Sequence, residues 1–212
     1  MKVITRKYKV YEYKELSKDA KEKAKQWFLD DNGLRFEDFK DMYEQDLLNI
    51  LPTSFLHLQA SLASCQGDGV NVYGELNIEE VLNLPTNGNA GNQFADLKDY
   101  FTEKEIKTLR FYMKECTNYI DLPYNSRYCY CYVDRIDMDK WSNYLWRSGY
   151  RDINEEVIEK LKQYIIKIFT KLCRNYENYG YDYLYNVDEE EMSETCEANH
   201  WYFNADGSVF AA

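Results

Sequence analysis

Ser61-Leu62-Ala63-Ser64-Cys65-Gln66-Gly67-Asp68-Gly69-Val70-Asn71-Val72-Tyr73-Gly74 is the stretch whose reading decides the fold. To its left, Phe55, His57, Gln59 and Ser61 alternate with Leu56, Leu58, Ala60 and Leu62, the period of a half-buried strand. To its right, Val70, Val72, Gly74 and Leu76 repeat that period. Between the runs, the glycines of Gln66-Gly67-Asp68-Gly69 accept φ > 0 and the Asp can bond its own backbone. The reading is a hairpin that sits in the core sheet.

Outward from the hairpin, residues 3–13 (Val3, Ile4, Tyr8, Val10, Tyr11, Tyr13) read as a first strand. Ser17 is placed to cap a helix through Asp31, with Ala20, Ala24, Trp27 and Phe28 on one face and Gly33 as its stop. A second helix is expected from about Phe36 to Leu51, ahead of Pro52. Ile78 to Leu82 suggests a helical turn, and 85–93 a loop. Thr102 with Glu105 makes a capping box, so a helix should run from Glu103 to about Met113. Glu115 to Ile120 and Tyr128 to Ile136 read as strands. In the second, Tyr128, Tyr130 and Tyr132 share one face, and Cys129, Cys131 and Val133 take the inner one. Residues 141–150 form an aromatic connector, and an amphipathic helix is expected from Asn154 to about Tyr176. Asp188 caps a short acidic helix over 189–198, and a small hairpin around Asp206-Gly207 closes the chain. The fold expected is α+β, a single domain over 1–212: an antiparallel sheet of hairpins covered by helices.

Three stretches together resemble a family of small phage-encoded proteins, mostly uncharacterised and some labelled antitoxin-like. Ser61, Gln66, Gly67, Asp68, Gly69 and Gly74 match its central Ser-x-x-x-Ser-Gln-Gly-Asp-Gly-x-x-Phe-x-Gly run, with departures at Cys65 and Val72. Glu15-Leu16-Ser17 followed by Ala20, Ala24 and Trp27 is similar to its N-terminal motif. Ala198-Asn199 through Asp206-Gly207 is similar to its closing one. The resemblance implies a phage or mobile-element origin and brings no assigned chemistry.

Composition narrows the function classes. The aromatic content, 21 Tyr and 10 Phe among 212 residues, argues against disorder. No apolar run approaches a membrane span and no apolar leader opens the chain, so the expectation is a soluble protein of the bacterial cytoplasm. Six thinly spread cysteines read as reduced thiols, and the Cys129/Cys131 pair lacks the second pair a zinc site needs. Net charge is −11, of which Asn175 to Ala212 carries −9: nine acidic residues with no Lys or Arg. Such a segment repels nucleic acid and membrane surfaces and attracts basic partners.

Catalytic constellations are sparse. His57 and His200 are the only histidines, so a nucleophilic site would need Cys65, Ser61 or Ser64 with His57 and Asp68. Asp134-Asp137-Asp139 and Asp188-Glu191 lack the ligand order of a calcium loop. The Gly88 and Gly91 loop carries no phosphate-binding motif. No cofactor and no metal are therefore expected. The sequence points to a non-enzymatic protein that binds a host protein with a basic surface, such as a nuclease or toxin, in the manner of an anti-CRISPR inhibitor. Asp188, Glu189, Glu190, Glu191 and Glu194 would supply charge that imitates a phosphate backbone, and Tyr181, Tyr183 and Tyr185 would anchor. An antitoxin-like partner of a basic toxin is one alternative. A metal- or small-molecule-dependent enzyme centred on Gln66, Gly67, Asp68 and Gly69 is the other.

Overall fold

The structure, a computed structural model, describes residues 7–30, 32–88, 90, 93–150 and 152–210, with only the backbone of 32–35. Its central hairpin follows the alternation: β1 (Phe55–Ser61) pairs antiparallel with β2 (Gly69–Asn77), Leu58 opposite Val72 and His57 opposite Tyr73. β3 (Tyr119–Leu122) joins the other edge of β2, with Leu76 opposite Ile120, giving a three-stranded sheet in the order β1-β2-β3. β3 does not arrive by a hairpin: α3 (Ile78–Asn83) and α4 (Glu103–Glu115) lie between it and β2. With α1 (Lys18–Asp30), α2 (Asn32–Ile50), α5 (Asp139–Arg147), α6 (Glu155–Tyr185) and α7 (Glu189–Ala198), the fold is α+β.

The chain divides into two compact units. The smaller takes residues 1–39 and 180–212, the larger 40–179, and the ranges of α2 and α6 cross that division. In the larger unit, one sheet face is apolar: Leu56, Leu58, Val70, Val72, Leu76, Ile120 and Leu122 are all buried. The apolar stripe of α6 is buried as well, through Leu161, Ile165, Ile168, Phe169, Leu172 and Cys173. Each such side chain contributes roughly 1.5–3 kcal/mol by leaving water. In the smaller unit, Ala20, Ala24 and Phe28 of α1 share a core with Tyr13, Val187, Met192, Cys196 and Phe203. Tyr11 and Phe203 exchange two backbone hydrogen bonds of 2.9 Å. The two terminal motifs of the sequence thus build one core.

Several expectations are corrected. Residues 7–13 hold no strand; Tyr11 makes a single bridge to Phe203, and Val3 and Ile4 lie outside the described residues. Gly33 does not end α1 but lies inside α2. The 141–150 aromatics are no connector: Trp141, Tyr144, Leu145 and Trp146 lie in α5, with Trp141 and Leu145, four residues apart, buried. α6 continues nine residues beyond Tyr176, because Cys173, Tyr176, Gly180 and Leu184 prolong the buried stripe at helical spacing. The 128–136 run forms no strand: Val133–Arg135 is a 3-10 turn, and residues 128–132 join no ladder.

The α4 capping box forms as its sequence predicts. The Thr102 hydroxyl accepts from the Glu105 N–H at 3.3 Å, and the Glu105 carboxylate accepts from the Thr102 N–H at 2.7 Å and from Lys160 Nζ at 2.7 Å. Lys160 and the two Thr102 donors hold the Glu105 carboxyl down, from 4.5 to about 2. Glu105→Ala should lower stability by about 1 kcal/mol at neutral pH. A depressed folded pKa means this contribution is complete above the ordinary carboxylate pKa and fades as pH falls from about 4.5 towards 2. Urea unfolding of both proteins at pH 7 and pH 2.5 checks it; a gap undiminished at the lower pH would contradict the charge-based account.

Candidate functional site

The Gln66-Gly69 turn is closed by its own residues. The Asp68 carboxylate accepts from the Ser61 hydroxyl at 2.7 Å, the Cys65 N–H at 2.9 Å and the Cys65 thiol at 3.1 Å. That thiol bond pushes the Cys65 pKa up, the reverse of what a nucleophile needs. His57 lies four residues before Ser61, about 13 Å along β1, and packs its ring on Tyr73 at 5.5 Å. The turn therefore brings together Ser61, Cys65 and Asp68 but not His57.

A second segment explains the glycines. Residues 123–132 run across the turn end of the sheet's other face, where Cys129 N–H donates to the Gly67 carbonyl at 2.9 Å. Gly67 has φ +95°, and a Cβ there would stand 2.2 Å from the Tyr128 ring. The side chains of β1 and β2 tie this segment down in place of a ladder: Gln59 donates to the Asn125 carbonyl at 2.7 Å and Asn71 to that of Pro123 at 3.1 Å. The tyrosines stack on one another, Tyr128 to Tyr130 at 5.7 Å and Tyr130 to Tyr132 at 4.6 Å, with Arg135 over the Tyr132 ring at 4.5 Å. On the inner side Cys131 neighbours the buried Cys173, whose thiol pKa is raised by that neighbour and by burial. All six cysteines are free thiols.

The acidic residues of the smaller unit divide by role. The Asp188 carboxylate caps α7, accepting from the Glu191 N–H at 2.7 Å. Glu189 pairs with Lys21 of α1 at 2.7 Å, and Asp206 with Lys23 at 2.6 Å. Lys23 and the Ser208 donors hold the Asp206 carboxyl well below the usual range. With Met192 and Cys196 buried on one side of α7, Glu190, Glu194 and Glu197 are exposed on the other. Their i, i+4, i+7 spacing confines them to about 60° of the helix circumference. Glu191 is exposed beside this ridge. Tyr181 and Tyr185 stack at 5.9 Å on α6, while Tyr183, two residues on, lies about 200° from Tyr181. The proposed anchors thus fall on two sides of α6.

Sequence reasoning missed Glu197, although its heptad spacing from Glu190 was legible. It also missed that α1 supplies lysines to the acidic segment. Residues 1–39 and 180–212 together hold 16 acidic and 10 basic residues, a balance of −6, against −5 for the larger unit. Among the described residues, no three His, Cys, Asp or Glu side chains gather to hold a metal, and no helix is long and apolar enough to cross a membrane. Compared with family models, curated proteins and solved structures, the chain finds no match in any of the three.

Proposed function

We propose that the protein is a non-enzymatic binding protein that docks α7 onto a cationic surface of a partner protein. The observation that carries this is the Glu190–Glu194–Glu197 ridge, three exposed carboxylates on one face of a helix fixed by its buried Met192 and Cys196. A rigid row of carboxylates resembles a phosphate backbone in charge and spacing, and it speeds association with basic surfaces. In its most concrete form the protein is a phage- or mobile-element-encoded inhibitor of a host nuclease, of anti-CRISPR type. The same ridge serves an antitoxin-like role if the basic partner is a toxin. Closure of the Asp68 carboxylate within its own turn favours binding over catalysis there.

Charge reversal at Glu190, Glu194 and Glu197 to lysine is expected to weaken partner binding about 100-fold or more and to leave folding intact, since these side chains are exposed. Asp188 should be spared, because replacing it removes a helix cap. Tagged wild type and variant are compared for capture from bacterial host lysate, followed by affinity measurement at two salt concentrations. A captured protein that binds both equally well would sink the ridge as the interface.

A further inference from the structure

We propose that the cleft between β3 and α5 receives a lysine or arginine side chain of a protein partner, a site separate from α7. The cleft measures about 320 Å³. It is lined by the aromatic residues Tyr119, Trp141 and Tyr144 and the acidic residues Glu75, Asp121 and Asp137. Sheet register explains the grouping: Tyr119 and Asp121 alternate outward on β3, and Glu75 is directly opposite Asp121 on β2. The single cation of the lining, Lys140, pairs with Asp121 at 3.2 Å. Three carboxylates against one ammonium leave the cleft negative, so it disfavours anions, and a neutral apolar guest would strip water from carboxylates without replacing it.

Aromatic faces beside carboxylates are the chemistry that holds an alkylammonium or guanidinium group. Trp141 is buried behind the cleft, and its indole N–H is committed to the Thr117 carbonyl at 3.2 Å, so it is a fixed back wall; Tyr119 and Tyr144 supply the open ring faces. Tyr144 is half exposed at the mouth. Apolar surface continues from Tyr119 to Phe55, whose ring lies 6.1 Å away and is 64% exposed. That strip extends beyond what a free small amine would cover and suits the residues flanking a basic side chain. It was legible in part: the outward members of β1 begin with Phe55 and His57 where a solvated face ordinarily shows charge.

The test is an NMR titration of the full chain, following the Trp141 indole N–H and the amides of 119–121. The probes are a blocked pentapeptide with one central arginine, its lysine and norleucine analogues, and tetramethylammonium. The basic peptides should shift these signals, and norleucine should bind at least tenfold more weakly. The double variant Glu75→Gln, Asp137→Asn should weaken the arginine peptide at least tenfold. Asparagine keeps the oxygen that accepts the Asp139 N–H at 2.9 Å, so the start of α5 is preserved. Norleucine binding as tightly as arginine, or an unchanged double variant, would overturn cation recognition. Tetramethylammonium matching the arginine peptide would overturn the side-chain assignment. No probe touches the α7 reading, so the two stand or fall separately.

Discussion

Gly207→Ala should destabilise the smaller unit by more than about 3 kcal/mol. Gly207 has φ +82°, and a Cβ built there would meet Ala20 of α1 at 2.0 Å from its carbonyl oxygen, 2.7 Å from its carbonyl carbon and 2.9 Å from its Cα. Left-handed backbone alone costs an alanine about 1–2 kcal/mol. The clash adds to this because all three atoms are backbone, and α1 can retreat only by opening a core in which Ala20 and Ala24 are buried. Retreat would also pull Lys23 from Asp206 and strain the pairing of Tyr11 with Phe203. Trp27 and Trp201 stand edge to face at 5.2 Å in this unit, so near-ultraviolet circular dichroism should report the loss alongside urea unfolding. Gly88, whose added Cβ meets nothing within 4 Å, is the control and should change stability by less than about 0.5 kcal/mol on replacement by alanine. If Gly207→Ala unfolded within 1 kcal/mol of the parent, the close approach of the last turn to α1 would be wrong.

What the sequence disclosed follows from where the information is local. The β1–β2 hairpin, the Thr102–Glu105 box and the Asp188 cap each depend on neighbours within a few residues, and each appears where its pattern sits. The tyrosine runs misled because alternation of Tyr and Cys over 128–132 is a strand pattern that carries no information about a partner strand. Whether such a segment becomes a strand depends on what it meets, and here it meets a sheet face, where the Gln59 and Asn71 side chains take the Asn125 and Pro123 carbonyls. The candidate site was half legible for the same reason. The acidic residues of α7 were visible as a run, but their division into a cap, an ion pair and an exposed ridge required α1, some 170 residues earlier, to supply Lys21.

Asn71 is where that non-local information is concentrated, and removing its amide should cost about 2–4 kcal/mol. Its side chain is fully buried; the carbonyl oxygen accepts from the Tyr132 N–H at 3.1 Å and the amide donates to the Pro123 carbonyl at 3.1 Å. One residue therefore satisfies two backbone groups nine positions apart, which the absence of a ladder leaves otherwise unpaired among the described contacts. Asn71→Leu keeps the branching and the number of heavy atoms and orphans both groups, each at about 1–3 kcal/mol, offset in part by the apolar gain. Asn71→Asp separates the two bonds. Its carboxylate still accepts from Tyr132, but only the protonated acid can donate to Pro123, so burial and that carbonyl raise its folded pKa above the ordinary value near 3.9. The folded state then binds more protons than the unfolded chain, and stability falls as pH rises above about 4. Urea unfolding at pH 4 and pH 7 should therefore find the aspartate variant closer to the parent at the lower pH, with the leucine variant showing no such convergence. Amide exchange over 123–132 should accelerate in both variants at pH 7, because the Tyr128–Tyr130–Tyr132 stack rests on the Gly67 turn through this segment. Unchanged exchange there would mean that Gln59 and the Cys129–Gly67 bond hold the segment alone, and that the Asn71 amide fills space without directing the fold.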